Sequence, residues 1–474
     1  MEENNEGREV KVEKSTRGVK TLLGDPKKAI RKISGPMIIA MLVQTFYNIA
    51  DGIWVAGLGS DRLAAVGLFF PVFMIILSLA TGISVGGSSA ISRKIGAKNK
   101  RQADTAAGHT LFMGIVVAIL VTVIILPLLR KIFIAMGAEV SVVDLIVNYG
   151  KIIIGGTFIL IFNNIASGIL RGEGDTKRVM YAMGLGSVLN IFLDPLFIYT
   201  LKMGINGAAW ATIVSMVITS ILVFYWLFVK KNTFVSFHFN KFKLNLKIVK
   251  EILRVGVPAS LAHMSMAAAI FILNYFIITS DGTDGVAVFT SAWRIIMIGL
   301  VPLIGISVGV TAVTGAAFGA KNPNKLAIGY FYGIKIGFII EFIIVFLIFV
   351  FASQLTYLFT YSKDTAHISG SLITTLRQLV WFLPMVPLGM LTSSMFQGIG
   401  KGENSLILTI MRTLIFQILF SWILGVKLGY GLSGICWGVV SGNIFASLIA
   451  VLWGQLTIRQ MKLKSVVTEN IHSK

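Results

Sequence analysis

Long apolar runs, each closed by a short polar or glycine-bearing turn, fill this chain almost from end to end. Twelve can be drawn: residues 33–57, 63–91, 105–129, 143–170, 178–200, 205–229, 250–278, 285–317, 325–352, 366–397, 403–426 and 431–457. A hydrocarbon core about 30 Å thick needs about 20 such residues in a helix, so each run is long enough to cross it. Only helices and closed barrels satisfy their backbone groups in lipid, and runs of this length are helices. The pattern predicts an all-α membrane protein with twelve transmembrane helices.

Composition agrees. Of 474 residues, 55% are hydrophobic and 13% charged, and the mean hydropathy of +0.82 lies outside the range of soluble domains. The net charge of +21 invites a nucleic-acid partner, but the basic residues gather at alternate helix ends. With the amino terminus in the cytoplasm, the inside segments hold about 31 of the 42 Lys and Arg, as positive-inside sorting requires. Both termini are therefore expected in the cytoplasm of a multi-pass cell-membrane protein whose partner is the lipid bilayer and not nucleic acid. Residues 1–32 lack the apolar core and cleavage site of a signal peptide, so the first run is expected to remain as an anchor. The single cysteine, Cys436, allows no disulfide framework.

The chain repeats itself. Gly82 to Asn99 (GISVGGSSAISRKIGAKN) recurs as Gly305 to Asn322 (GISVGVTAVTGAAFGAKN). Pro36 heads the first run as Pro258 heads the seventh, Arg171 to Asp175 aligns with Gln397 to Lys401, and Gly204, Gly207 and Trp210 align with Gly431, Gly434 and Trp437. Six runs map onto six in the same direction. Parallel repeats of this kind place substrate between the halves, so two pseudo-symmetric six-helix lobes around a central cavity are expected. The divisions are an amino-terminal tail (1–32), an amino lobe (33–229), a cytoplasmic linker (230–249), a carboxyl lobe (250–457) and a cytoplasmic tail (458–474). Each GISVG pentad is a G-x-x-x-G motif, expected to pack helices within its own lobe.

A carboxylate inside a membrane helix costs several kcal/mol unless it is paired, protonated or hydrated. Mid-span acids are Asp51, Asp194 and Glu341. At about 1.5 Å per residue, Asp51 lies roughly 22 Å beyond Pro36, and Asp194 roughly 21 Å beyond Met180 at the start of the fifth run, which places both at one depth. Asn190 precedes Asp194 by one turn, Tyr47, Asn48 and Gln44 precede Asp51, and Thr212 of the sixth run reaches the same level. Pro195 loosens the helical ladder beside Asp194 and frees carbonyl oxygens. An oxygen-rich spot of this kind suits Na+ or a proton held between carboxylates, the bland alternative being interior acids that tie helices together. The second half sets Leu273, Gln417, Ser421 and Val439 opposite Asp51, Asn190, Asp194 and Thr212. Glu341 and Arg294 reach similar depths, either as a buried ion pair or as charges with a substrate or coupling role.

Enzyme signatures are missing. His109, His238, His263, His367 and His472 are scattered, and the glycine-rich stretch around Lys401 departs from the P-loop pattern, with Met395 at its first glycine position and Gly402 at its Ser/Thr position. Without ATP hydrolysis, transport would draw on an ion gradient.

With its two six-run halves, the Arg171-Gly172-Glu173-Gly174-Asp175-Thr176 turn and the Gly-Ala-Lys-Asn turns, the chain resembles the multidrug and toxic compound extrusion (MATE) family, in its prokaryotic DinF-like branch, over about residues 30–457. The resemblance implies a secondary active multidrug efflux transporter, not an enzyme. It would export amphipathic organic cations by H+ and/or Na+ antiport with alternating access, as a monomer, with no cofactor beyond the coupling ion. It assigns proton or Na+ binding to Asp51, Asn190, Asp194 and Thr212, with Asn163 or Asn164 as further contributors, and a helix bend to Pro36. A lipid-linked oligosaccharide flippase of the same superfamily is the alternative. It calls for a cationic cavity, whereas the buried charges of the first lobe are negative.

Overall fold

The computed structural model describes residues 15–137, 139–237, 242–361 and 365–472. Residues 1–14 of the amino tail and His238, Asn240 and Lys241 of the linker lie outside these. Among the described residues the chain is helical throughout and contains no β-strand. The amino half holds α1 (Arg17–Leu23), α2 (Pro26–Ala56), α3 (Ser60–Gly96), α4 (Lys100–Ala135), α5 (Val140–Gly155), α6 (Thr157–Gly172), α7 (Thr176–Pro195) and α8 (Ile205–Phe224). The carboxyl half holds α9 (Leu246–Gly299), α10 (Val301–Gly319), α11 (Pro323–Val350), α12 (Ala352–Thr360), α13 (Ser369–Leu379), α14 (Val386–Gly398), α15 (Gly402–Ile410), α16 (Gln417–Ser421) and α17 (Gly431–His472). Among the described residues eleven helices are long and apolar enough to cross a membrane, twelve when α5 and α6 count as one span bent by 47° at the Gly155-Gly156 pair.

The repeat is visible in the backbone itself. Lys98 and Lys321 both adopt left-handed φ, +55° and +53°, and the Asn after each caps the next helix: Asn99 accepts from the Gln102 N–H and Asn322 from the Lys325 N–H. That is what the Gly-Ala-Lys-Asn turn is for: one residue stops a helix and the following one starts the next. Gly174 and Gly400 share φ of +80° and +82° at the equivalent later turn. Departures from the expected runs have local causes. Helix α9 continues through the seventh run into the eighth, reversing at Gly282 (φ +67°), and a 3-10 segment, Val380–Met385 with Pro384, interrupts the tenth. The polar tail contributes an element of its own. In α1, Val19 and Leu22 are buried, and Lys325 of the other half donates to the Leu23 and Gly24 carbonyls at 3.0 and 3.3 Å.

The GISVG pentads do not pack within a lobe, as expected from sequence, but between the halves. A Cβ at Gly82 would fall on Ser260 and Gly256 of α9, one at Gly86 on the Ile252 carbonyl, one at Gly305 on Ile38 of α2, and one at Gly309 on Ser34. Farther down the same seam, Gly96 lies against Ala316 and Gly319 against Arg93. The backbones of the two halves therefore meet directly along α3–α9 and α2–α10, at the end of the bundle that carries the linker. Charge reinforces the contact. Arg93, itself buried, donates to Glu251 of α9 at 3.0 Å and to the Gly398 carbonyl at 3.3 Å, and Lys94 reaches the second Glu251 oxygen at 3.1 Å.

The linker is held as well. Glu173, fully buried at the turn after α6, accepts from the backbone N–H groups of Phe234 and Val235 at 2.8 and 3.1 Å. Burial pushes its carboxyl up to about 8.

Two outcomes follow. Gly86→Leu should lose about 1–3 kcal/mol through overpacking against backbone, seen as a lower Tm, whereas Gly184→Ala, with open space around its Cβ, should leave Tm unchanged. Glu173 stabilises the fold in its protonated form, so its contribution is complete below the ordinary carboxyl range and is lost as pH rises through about 8. Tm measured between pH 5 and about pH 9 should fall more steeply for wild type than for Glu173→Gln.

Candidate functional site

Three helices of the amino half, α2, α7 and α8, converge at mid-span. Asp194 closes α7, immediately before Pro195, and the helix continues as a π turn, Leu196–Thr200. A proline without an N–H leaves the ladder one donor short, and the wider turn that follows is a common companion of functional sites. Asp194 is buried, and its carboxyl stands within hydrogen-bond reach of Asp51 on α2. Asn190, one turn earlier on α7 and also buried, satisfies its amide by donating to Asp194 Oδ2 at 2.8 Å and accepting from the Thr212 backbone N–H at 3.2 Å. The Tyr47 hydroxyl lies beside Thr212 of α8 and within electrostatic reach of Asp51 and Asp194. Thr212 Oγ1 also donates to the Ala208 carbonyl at 3.0 Å.

The donor set, two carboxyls, an amide oxygen and a hydroxyl, is all oxygen and suits a hard monovalent cation. Asp194 Oδ1 is buried without a partner. That orphaned acceptor fits a proton or a Na+ ion at the pair. Among the described residues no cluster of three or more His, Cys, Asp or Glu exists, so a transition-metal centre has no ligands here.

Other residues singled out from sequence are placed differently. Asn48 and Gln44 are exposed on α2. Asn163 on α6 donates to the Met216 carbonyl (2.9 Å) and Ser220 Oγ (2.7 Å) of α8, which lie on the linker side of Thr212. Both Asn163 and Asn164 keep a buried, unpartnered Oδ1, but neither forms a described hydrogen bond with Asp51 or Asp194. Helix α2 runs unbroken through Pro36. The Arg294–Glu341 ion pair does not form: Arg294 is exposed, while Glu341 is buried on α11 with both oxygens unpartnered. One is exposed and the other buried, which depth along the helices alone does not reveal.

Sequence reasoning missed two groups. Tyr149 of α5 lies within electrostatic reach of Asp51, Tyr47 and Asp194 and is braced edge-on against Phe69 at 5.3 Å. Its position in an amphipathic run, on the face turned to the bundle, was the available signal. Arg412, in the π turn Met411–Phe416 after α15, is buried with Nε and Nη1 unpartnered. As a lone basic residue within the eleventh run, it was visible as such.

Two fused halves of long apolar helices, with an oxygen-rich cluster inside one of them, have the architecture of a multi-pass membrane protein. The MatE family model matches residues 36–196 and 258–423, one segment in each half, and the chain belongs to this family, whose members are transporters and not enzymes. It is 26% identical over 428 residues to the multidrug export protein MepA of Staphylococcus aureus (strain MSSA476), covering 90% of this chain and 92% of MepA. It is 53% identical, with a TM-score of 0.93 and coverage of 95% and 100%, to a MOP-superfamily transporter of Pyrococcus furiosus Vc1, for which reverse polarity of the binding pocket is said to suggest a different function. A multidrug resistance MATE transporter solved in an outward-facing conformation is 52% identical, with a TM-score of 0.92 and coverage of 95% and 100%.

Asn190→Leu, which strands Asp194 Oδ2 in the interior, should cost about 1–3 kcal/mol. Asn48→Leu, at an exposed position, should change stability by less than about 0.5 kcal/mol. Thermal unfolding of the two purified variants in one detergent reads the difference.

Proposed function

We propose that the protein is a secondary active multidrug efflux transporter that exports amphipathic organic cations in exchange for H+ or Na+, acting as a monomer in the cell membrane with both termini cytoplasmic. The observation that carries this reading is the Asp51–Asp194 pair, two carboxyls in contact at mid-span with Asn190 and Thr212 around them. Two carboxyl groups that close hold a proton or a cation between them. Releasing the one or taking up the other changes the local charge by one unit. A unit charge moving down the membrane potential supplies about 2.3 kcal/mol per 100 mV.

Alternating access is the matching motion: residues 33–229 and 250–457 rock as two lobes, and the charge state of the pair selects which end is open. The direct backbone contact between the halves at the linker end and the exposed polar side chains of Gln44 and Asn48 support an arrangement sealed there and wet beyond it. Pro36, where the Lys32 carbonyl loses its helical donor, is the place where α2 would bend, with Asn163 and Asn164 serving the cation path or the substrate. Glu341, buried without a partner, would act on substrate or coupling from the carboxyl lobe, and Arg294 would not. The acidity of the amino-lobe site speaks against the oligosaccharide-flippase alternative.

Dye efflux from proteoliposomes under separately imposed pH and Na+ gradients tests the proposal. Wild type should export a cationic dye under at least one gradient, and Asp51→Asn and Asp194→Asn should each lower the rate at least about tenfold, the equivalent of about 1.4 kcal/mol. Efflux at the wild-type rate by either variant would overturn the mechanism.

A further inference from the structure

At the linker end a groove of about 1580 Å³ opens between the end of α3, the first turns of α4, the linker and the first turn of α9. Its acids are already answered: Asp104 pairs with Lys100 at 3.0 Å, and Glu251 pairs with Arg93 and Lys94. Three further cations in its wall, Arg101, Lys243 and Lys247, are exposed and make no ion pair among the described residues. Beside them runs an apolar strip. Phe112 and Ile115 of α4, Phe242 of the linker and Leu246 of α9 are all exposed, Leu246 by 72%, and the Phe112 and Phe242 rings lie 5.6 Å apart.

The order along α4 is informative. Arg101 is in its first turn, and Phe112 and Ile115 follow about 16 and 21 Å deeper along the spanning helix. Unanswered positive charge thus stands at the membrane boundary, with bare apolar surface leading from it toward the hydrocarbon. An isolated phosphate would use only the upper part of such a groove; a lipid uses both.

We propose that this groove binds an anionic glycerophospholipid, its phosphate against Arg101, Lys243 and Lys247 and an acyl chain along Phe112 and Ile115. Basic pockets beside spanning helices are suited to such headgroups. Because α3 and α4 belong to the amino half and α9 to the carboxyl half, the bound lipid touches both sides of the seam next to the Arg93–Glu251–Lys94 bridge. Its binding stabilises the two halves in this arrangement, whatever the transported substrate.

Native mass spectrometry of the full-length protein, titrated with dioleoyl phosphatidylglycerol, dioleoyl phosphatidylcholine or glycerol phosphate, tests this, with Tm recorded in parallel to confirm that each variant is folded. Phosphatidylglycerol should bind and raise Tm. The combined variant Arg101→Gln, Lys243→Gln, Lys247→Gln should bind it more weakly by about fivefold per cation removed. Phe112→Gln should weaken phosphatidylglycerol and leave glycerol phosphate unchanged. Lys27→Gln, Lys28→Gln, Arg31→Gln, an equal charge loss at exposed positions outside the groove, should bind as wild type does. Phosphatidylcholine binding as tightly, or the groove variant binding no more weakly than the control, would overturn the proposal. Glycerol phosphate binding as tightly as the lipid would overturn it in favour of a free phosphate.

Discussion

The close approach of the backbones of α3 to α9 and of α2 to α10 is the contact on which the other features depend. Lipid tails are as apolar as the side chains that face them, so two helical halves in a membrane have little hydrophobic reason to associate. Association must come from packing and from polar groups that find partners, and the seam supplies both. Glycines at 82, 86, 305 and 309 bring backbone atoms into contact, and the buried Arg93 spends its donors on Glu251 and a carbonyl of the opposite half. Every one of these contacts lies toward the end at which the linker, α1 and the Gly-Ala-Lys-Asn turns also gather. The halves are thus tied at one end, which leaves the mid-span acidic site beyond the tie.

Duplication and asymmetry have separate tasks. The backbone keeps the repeat faithfully, with Lys98 matching Lys321 and Gly174 matching Gly400 in φ to within a few degrees. The side chains do not keep it. Arg93 and Lys94 of the first copy correspond to Ala316 and Ala317 of the second, and the small residues are what let Gly96 and Arg93 of the first copy approach the second so closely. Asp51 and Asp194 likewise face Leu273 and Ser421. A symmetric scaffold offers two equivalent surfaces to be matched, and the different charges buried in each half make them unequal.

Much of this was legible in the sequence because membrane helices obey one-dimensional rules. Length and hydropathy fixed the spans, helical rise placed Asp51 and Asp194 at one depth, and the i to i+4 spacing put Asn190 on the face of Asp194. What failed needed a second dimension. The GISVG faces were expected to pack inside a lobe because a G-x-x-x-G motif announces close packing without naming its partner. The Arg294–Glu341 pair failed because depth along two helices says nothing about rotation about their axes. Tyr149 went unnoticed since its relation to Asp51 passes through space, across α5 and α2. Helix α1 was missed because seven residues, with Val19 and Leu22 as anchors, fall below any periodicity that a polar tail displays.

The lone buried charges mark where stability has yielded to something else. Glu341 and Arg412 are both buried in the carboxyl half with polar atoms unpartnered, and they do not pair with each other. A charge in that setting costs several kcal/mol in lipid-embedded protein, and an apolar residue of similar volume would remove the cost. The amino half meets the same problem in another way, by bringing two acids, an amide and a hydroxyl together so that the groups largely answer one another. The first arrangement leaves its groups waiting for a partner from outside the fold, and the second brings most of its partners with it. A fold shaped by stability alone would keep neither kind, since apolar residues of similar volume pack without the desolvation cost.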